Sequence, residues 1–374
     1  MNILICPDKF KDSLKAFEVA KALKEGIQTI LPNSRIHCLP LADGGEGTLE
    51  ALESIFEVQK IRLTVRNPLF KSIKANYLYD ETKHIAYIEM AQASGIELLK
   101  IEERNPLETS TFGTGELILH AIQHGAKKIY LFVGGSATNE GGMGMASALG
   151  YEFLDEFGHP LEGKGKNLTL IHQVLEPQTT LLKKIKEIAF LVATDVANPL
   201  LGPSGSSEVF GPQKGANEEI VKYLDNGLNN LHNRCVEDLQ SDSNIVHQAG
   251  SGAAGGLGAG AQYFLGAQLI SGADFLLENY QFDQLIKDYD VIITGEGKID
   301  EQTWEGKLIS KVLEASSGKN IQLVCGICDT ETKYPTYEII KKASNQEDAL
   351  KNAAYYLEKI GTTIARTILA SDKK

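Results

Sequence analysis

Five stretches set carboxylates close to hydroxyl, amide or lysine side chains, four of them together with glycine. They are Pro7-Asp-Lys-Phe-Lys11-Asp-Ser13, Asp43-Gly-Gly-Glu-Gly-Thr48, Gly134-Gly-Ser-Ala-Thr-Asn-Glu-Gly-Gly142, Asp195-Val-Ala-Asn-Pro-Leu-Leu-Gly-Pro203 and Thr294-Gly-Glu-Gly-Lys-Ile-Asp300-Glu-Gln-Thr303. Glycine removes the Cβ and lets successive backbone N–H groups point into one concavity, which cradles phosphate where a helix begins. Carboxylates beside such a cradle repel phosphate unless a cation stands between them. The combination therefore implies Mg²⁺, which one or two carboxylates hold together with substrate phosphates. Lys11, Lys214, Lys298 and Lys307 offer further countercharge. Metal, cradle, cation and a spare carboxylate to orient an acceptor hydroxyl make up a phosphoryl-transfer site. Taken singly, a glycine-rich turn is structural and a lone Asp caps the next helix. Five such loops in one chain weigh against that reading.

All five loops follow strand-like runs. Asn2-Ile-Leu-Ile-Cys6 is continuously apolar, as a strand buried on both faces must be. A helix follows, with Asp12 or Ser13 as N-cap, Leu14, Phe17, Ala20, Leu23, Ile27 and Ile30 on one face, and an end before Pro32. Residues 35–41 form a second strand, and a helix starts near Leu49. Residues 61–65, 75–79 and 84–88 alternate apolar with polar, the antiparallel pattern. Buried-strand character returns at 128–133, 188–194, 290–294 and 320–326, with helical signals at 115–124 and 346–369. Alternation of this kind predicts an α/β protein with a largely parallel sheet, whose ligands bind beyond the carboxyl ends of the strands. Residues 1–57 and 282–374 are expected to form a discontinuous parallel-sheet α/β domain, with 58–281 inserted as a mixed α/β domain.

The chain has 374 residues, 37 basic and 49 acidic, for a net charge of −12. That length suits two domains, each large enough for its own core. The acidic balance argues against a nucleic-acid surface. No apolar stretch approaches the ~18 residues of a membrane span, and the apolar start is too short for a signal peptide, so a cytoplasmic protein is expected. Five scattered cysteines fit that compartment as reduced, buried thiols. Thirty-six glycines exceed the usual share.

Several other patterns carry less. Gly250-Ser-Gly-Ala-Ala-Gly255 with Asp274 matches a dinucleotide fingerprint, but residues 243–249 are too polar for the strand it needs. Close helix packing explains its small residues instead. Gly158-His-Pro-Leu-Glu-Gly-Lys164 has Walker A spacing, yet Gly165 stands where Ser or Thr must bind magnesium. Cys325-Gly-Ile-Cys328 lacks a second pair for zinc, and His120 and His124 make no metal motif.

Six motifs in order resemble the bacterial type I glycerate kinase family: Pro7-Asp-x-Phe-Lys-x-Ser-Leu14, Ala42-Asp-Gly-Gly-Glu-Gly-Thr48, Gly134-Gly-Ser-Ala-Thr-Asn139, Asp195-Val-x-Asn-Pro-Leu200 with Phe210-Gly-Pro-Gln-Lys-Gly215, Gly252-Ala-Ala-Gly-Gly-Leu-Gly258, and Thr294-Gly-Glu-Gly-x-Ile-Asp300. Glu140 stands where the family has Asp, and Lys298 where it has Arg, which loses a bidentate fork. The resemblance implies a Rossmann-like parallel-sheet domain and an inserted mixed-sheet domain, with the active site in the cleft. It also implies ATP- and Mg²⁺-dependent phosphorylation of D-glycerate, at the 2-hydroxyl. On that footing Asp195 and Asp300 divide the roles of metal ligand and base, in an order left open, and Lys11 is catalytic. Asp8, Ser13, Asp43, Gly44 and Gly45 are expected at the acceptor. Gly134, Gly135, Ser136, Thr138, Asn139, Lys214, Gly295, Gly297 and Lys298 are expected at the nucleotide. The competing readings are a kinase for another small hydroxy acid, an NAD-binding dehydrogenase using the Gly250 segment, and a non-catalytic ligand sensor.

Overall fold

The computed structural model describes residues 1–304 and 308–371, so Lys307 lies outside the described residues. The chain divides into two units. The first comprises Met1–Asp43, Glu50–Ile55 and the chain from Ala273 onward; the second comprises Gly44–Leu49 and Phe56–Gly272.

In the first unit five strands form an all-parallel sheet, in the order Thr336–Glu338, Asn320–Cys325, Val291–Thr294, Asn2–Ile5, Arg35–Cys38. Ile3, Leu4 and Ile5 are wholly buried, which accounts for the unbroken apolar run. The helices Ala16–Gln28 and Ala353–Ser371 pack together, and a Cβ on Gly26 would overlap the Glu358 carbonyl. The first helix begins later than its sequence suggests. Residues 10–14 close into a tight turn, with Phe10 N–H on the Leu14 carbonyl at 2.8 Å and Asp12 in the left-handed region at φ 60°. Lys15 is the N-cap, and Glu18 accepts its N–H at 2.9 Å. The buried face therefore runs through Val19, Ala20, Ala22, Leu23, Gly26 and Ile27, and Phe17, expected inside, is exposed.

The second unit holds a six-stranded mixed sheet, in the order Gln268–Ile270, Ala189–Ala193, Lys128–Phe132, Ile85–Glu89, Ser72–Asp80, Gln59–Arg66. The first four strands are mutually parallel; the last two join antiparallel. The alternating segments thus form the antiparallel flank, and Ile85–Glu89 links it to the parallel part. Ile88, Ile129, Leu131 and Val192 anchor the core. The 22-residue helix Glu218–Leu239 was not anticipated. Asn217 caps it by accepting the Ile220 N–H at 2.9 Å, and Val221, Leu224, Leu228, Leu231 and Cys235 form its buried stripe. The small-residue segment becomes the helix Ala253–Leu265, interrupted by left-handed backbone at Ala254, Gly255 and Gly256. No helix among the described residues is long and apolar enough to cross a membrane.

Candidate functional site

Parallel strands deliver their carboxyl ends to one edge of a sheet, and the glycine and acid loops leave from those ends in both units.

In the first unit the loops after Ile5, Cys38 and Thr294 are tied together. Asp8 N–H donates to the Gly295 carbonyl at 2.9 Å, Leu41 N–H to the Pro7 carbonyl at 2.9 Å, and the Thr294 hydroxyl to the Cys6 carbonyl at 2.7 Å. Burial pushes the Asp8 carboxyl well above the usual carboxylate range. Asp43 and Glu296 add to the rise, while Lys9 opposes it and gives its N–H to Asp8 Oδ1 at 2.6 Å. Gly297 lies against the Lys11 backbone: a Cβ there would stand 3.2 Å from Lys11 N. Gly295 meets the Val324 carbonyl, which any side chain would overlap. The short parallel pair Lys298–Ile299 and Ile327–Cys328 sets Asp300 and Asp329 around the Lys298 ammonium, at 3.4 and 3.1 Å. Asp329 first, then Asp300, raises the pKa of that lysine. The Ser13 hydroxyl donates to the Leu350 carbonyl at 2.7 Å.

In the second unit the Gly44–Thr48 loop lies across two strand ends. Gly134 N–H donates to the Gly44 carbonyl at 3.3 Å, and a Cβ on Gly134 would overlap Gly45 Cα. Gly44 is left-handed, and a Cβ there would stand 3.3 Å from the Ala193 carbonyl. Asp195, two residues beyond the Ala189–Ala193 strand, accepts the Ser271 hydroxyl at 2.9 Å. Lys214 is buried. Its ammonium donates to Ser136 Oγ and to the Thr138 carbonyl, both at 2.7 Å, and so shapes the Gly134–Asn139 loop from behind. Burial pushes its pKa down to about 7, with Glu140 opposing. Asn139 Nδ2 donates to Ser207 Oγ at 3.1 Å, and the neighbouring hydroxyls of Thr138 and Ser206 are buried without a hydrogen-bond partner. Gly255 seats against the Thr138 carbonyl, where a side chain would overlap, and its own carbonyl accepts Gly141 N–H at 2.9 Å.

Glu89, Ser271, Ser206, Ser207 and Asp329 went unnoticed in the sequence. Glu89 ends an apolar strand with a carboxylate, and Ser271 follows the last strand of its sheet; position at a strand end was the available signal. Asp329 and the two serines sit in polar stretches with none. The decoys resolve as structure: a 3₁₀ turn, Ser243–His247, precedes Gly250 where a dinucleotide site needs a strand, and Asp274 pairs with Lys311 at 2.6 Å. Cys325 is buried, and the Cys328 thiol faces the Thr330 carbonyl at 3.2 Å.

Among the described residues no group of three or more His, Cys, Asp or Glu side chains could hold a metal ion by itself. Mg²⁺ does not need one, because phosphate oxygens and water fill most of its sphere.

A family model described as the glycerate kinase family matches residues 3–369. The chain is 38% identical to a glycerate kinase of Bacillus subtilis (strain 168), covering 98% of each. It is 41% identical to a glycerate 2-kinase of Escherichia coli (strain K12), covering 82% of this chain and 80% of the relative. A crystal structure of a protein provisionally named glycerate kinase 2, from Salmonella typhimurium LT2, superposes with a TM-score of 0.79 at 38% identity over the whole of both chains. With its motifs on the ends of parallel strands and its full length matched, the chain belongs to the glycerate kinase family and is a phosphotransferase.

Proposed function

We propose that this chain transfers the γ-phosphoryl group of ATP, with Mg²⁺, to the 2-hydroxyl of D-glycerate, giving 2-phosphoglycerate and ADP. One observation carries the proposal: the loops bearing Asp8, Asp43, Gly134–Asn139, Asp195 and Gly295–Lys298 leave the carboxyl ends of parallel strands, where α/β enzymes place their ligands. The name of the E. coli relative supports the 2-position.

In this reading one of Asp195 and Asp300 holds Mg²⁺ and the other is the base. When bound, Mg²⁺ neutralises charge on the β- and γ-phosphate oxygens. The base carboxylate takes the hydroxyl proton as the new O–P bond forms and the bond from phosphorus to the ADP oxygen breaks. Lys11 pairs with the glycerate carboxylate or with the phosphoryl group in transit. Asp8, Ser13, Asp43, Gly44 and Gly45 hold the acceptor, with the Ser13 hydroxyl accepting while it donates to the Leu350 carbonyl. Backbone N–H groups of Gly134 and Gly135, with Ser136, Thr138 and Asn139, bind phosphate oxygens. Gly295 and Gly297 let backbone approach the nucleotide, and Lys298 adds charge there. Lys214 serves by fixing Ser136 and Thr138.

Phosphorus NMR of the product from D-glycerate and Mg-ATP tests donor, acceptor and position together. A 2-phosphoglycerate resonance that disappears with EDTA is expected. A 3-phosphoglycerate signal overturns the position alone, and an unchanged glycerate pool overturns the reaction. Asp195→Asn and Asp300→Asn should each lower kcat by about 10²-fold or more, because phosphoryl transfer depends on charge placement. Near-native turnover in both variants would remove the two roles assigned to them.

A further inference from the structure

We propose that Glu89 is a positioning residue for the acceptor, its carboxylate holding the Gly44–Thr48 loop in the conformation that receives glycerate. The inference rests on the reading that Asp43, Gly44 and Gly45 contact the acceptor.

Glu89 is the last residue of the Ile85–Glu89 strand and is 1% exposed. A carboxylate so buried persists only where hydrogen bonds replace water. Its Oε1 accepts the backbone N–H of Thr48 at 3.0 Å, and its Oε2 accepts from Gln92 Nε2 at 2.9 Å.

The loop needs such a hold. Gly44 and Gly47 lie in the left-handed region at φ 82° and 94°, and a segment with three glycines in four residues has little conformational preference of its own. Bonds that also hold it include the Thr48 hydroxyl on the Gly45 carbonyl at 2.6 Å, with the Thr48 N–H 3.3 Å from the same oxygen, and Gly134 N–H on the Gly44 carbonyl. The first two lie within the loop and the third is long. Glu89 anchors the loop's far end to a strand of the sheet. The proposed chemistry does not use this carboxylate.

The test is steady-state kinetics on Glu89→Gln, Glu89→Asp and Glu89→Ala, with KM for glycerate and for ATP measured separately. Glutamine keeps an acceptor oxygen at the same reach, so all parameters should stay within about threefold of the parent. Aspartate withdraws the acceptor by one methylene and alanine removes it, and both should raise the glycerate KM about tenfold or more. The ATP KM should stay within about twofold. A tenfold change is about 1.4 kcal/mol, the lower end of what a hydrogen bond to a charged group contributes. If alanine does not yield folded protein, the aspartate variant decides. An unchanged glycerate KM in Glu89→Asp, or equal rises in both KM values with a lowered Tm, overturns the inference. Asp43→Asn tests the underlying reading on its own: if it leaves the glycerate KM untouched, the acceptor loop has been misassigned, whatever Glu89 does.

Discussion

Burying the Lys214 ammonium against one hydroxyl and one carbonyl disfavours its charged form, which is why its pKa falls to about 7. In the unfolded chain the same lysine stays protonated up to about pH 10. Between those values the unfolded state binds more protons, so this residue makes stability rise as pH rises from 7 towards 10. Thermal melts of the native protein and Lys214→Met should therefore show their Tm difference moving in favour of the native protein from pH 7 to 9. A constant difference would contradict the burial of the charge. Single residues were legible in proportion to how local their roles are. Asp8, Asp43 and Asp195 stood out in the sequence because each follows a strand-like run and recurs with like loops elsewhere in the chain, not because of its immediate neighbours. Lys214 was legible as a cation but not as the brace of the Ser136 loop, since that role depends on a partner 78 positions away. Glu89 carried only the signal of its position at a strand end, because its partner Thr48 lies 41 positions away.

Close approach of backbones fixes the elements, and two glycines make it testable. Gly26→Ala forces a methyl onto the Glu358 carbonyl between two packed helices. It should cost about 1–3 kcal/mol in denaturant unfolding, with the KM values unchanged. Gly134→Ala makes the same kind of intrusion on Gly45, where the loop is proposed to hold the acceptor. Activity should fall by about 10²-fold while the melting temperature moves only a few degrees; a fully active variant would show that the loop tolerates displacement. Central strands of the first sheet were readable because burial on two faces leaves unbroken apolar runs, as in 3–5 and 291–293. The helix Glu218–Leu239 was missed although its stripe recurs every three or four residues, because Asn, Asp and Glu between those positions lower its mean hydropathy. The start of the helix at Ala16 was misplaced because Asp12 and Ser13 have the chemistry of caps, while the Phe10–Leu14 turn already occupies them.

At the scale of the molecule, each unit has its own sheet and its own buried cluster. We predict that residues 56–272, expressed alone, melt cooperatively by circular dichroism and have no kinase activity; a non-cooperative melt would show that this unit borrows stability from the rest. The sequence changes from continuous to alternating apolar runs near residue 58. It did not mark the return of Gly44–Leu49 to the second unit, which depends on contacts with Gly134 and Glu89. The strand order has one more consequence. Ile3 lies beside Val291 and beside Ile36 in the same sheet. A ribosome adding about 5–20 residues per second takes on the order of 15–60 s to supply the later of those neighbours. Through that interval the nascent amino-terminal strand has one open flank, so the mixed-sheet portion can finish folding first, and slowing translation late in the message should prolong the strand's exposure to chaperones and proteases.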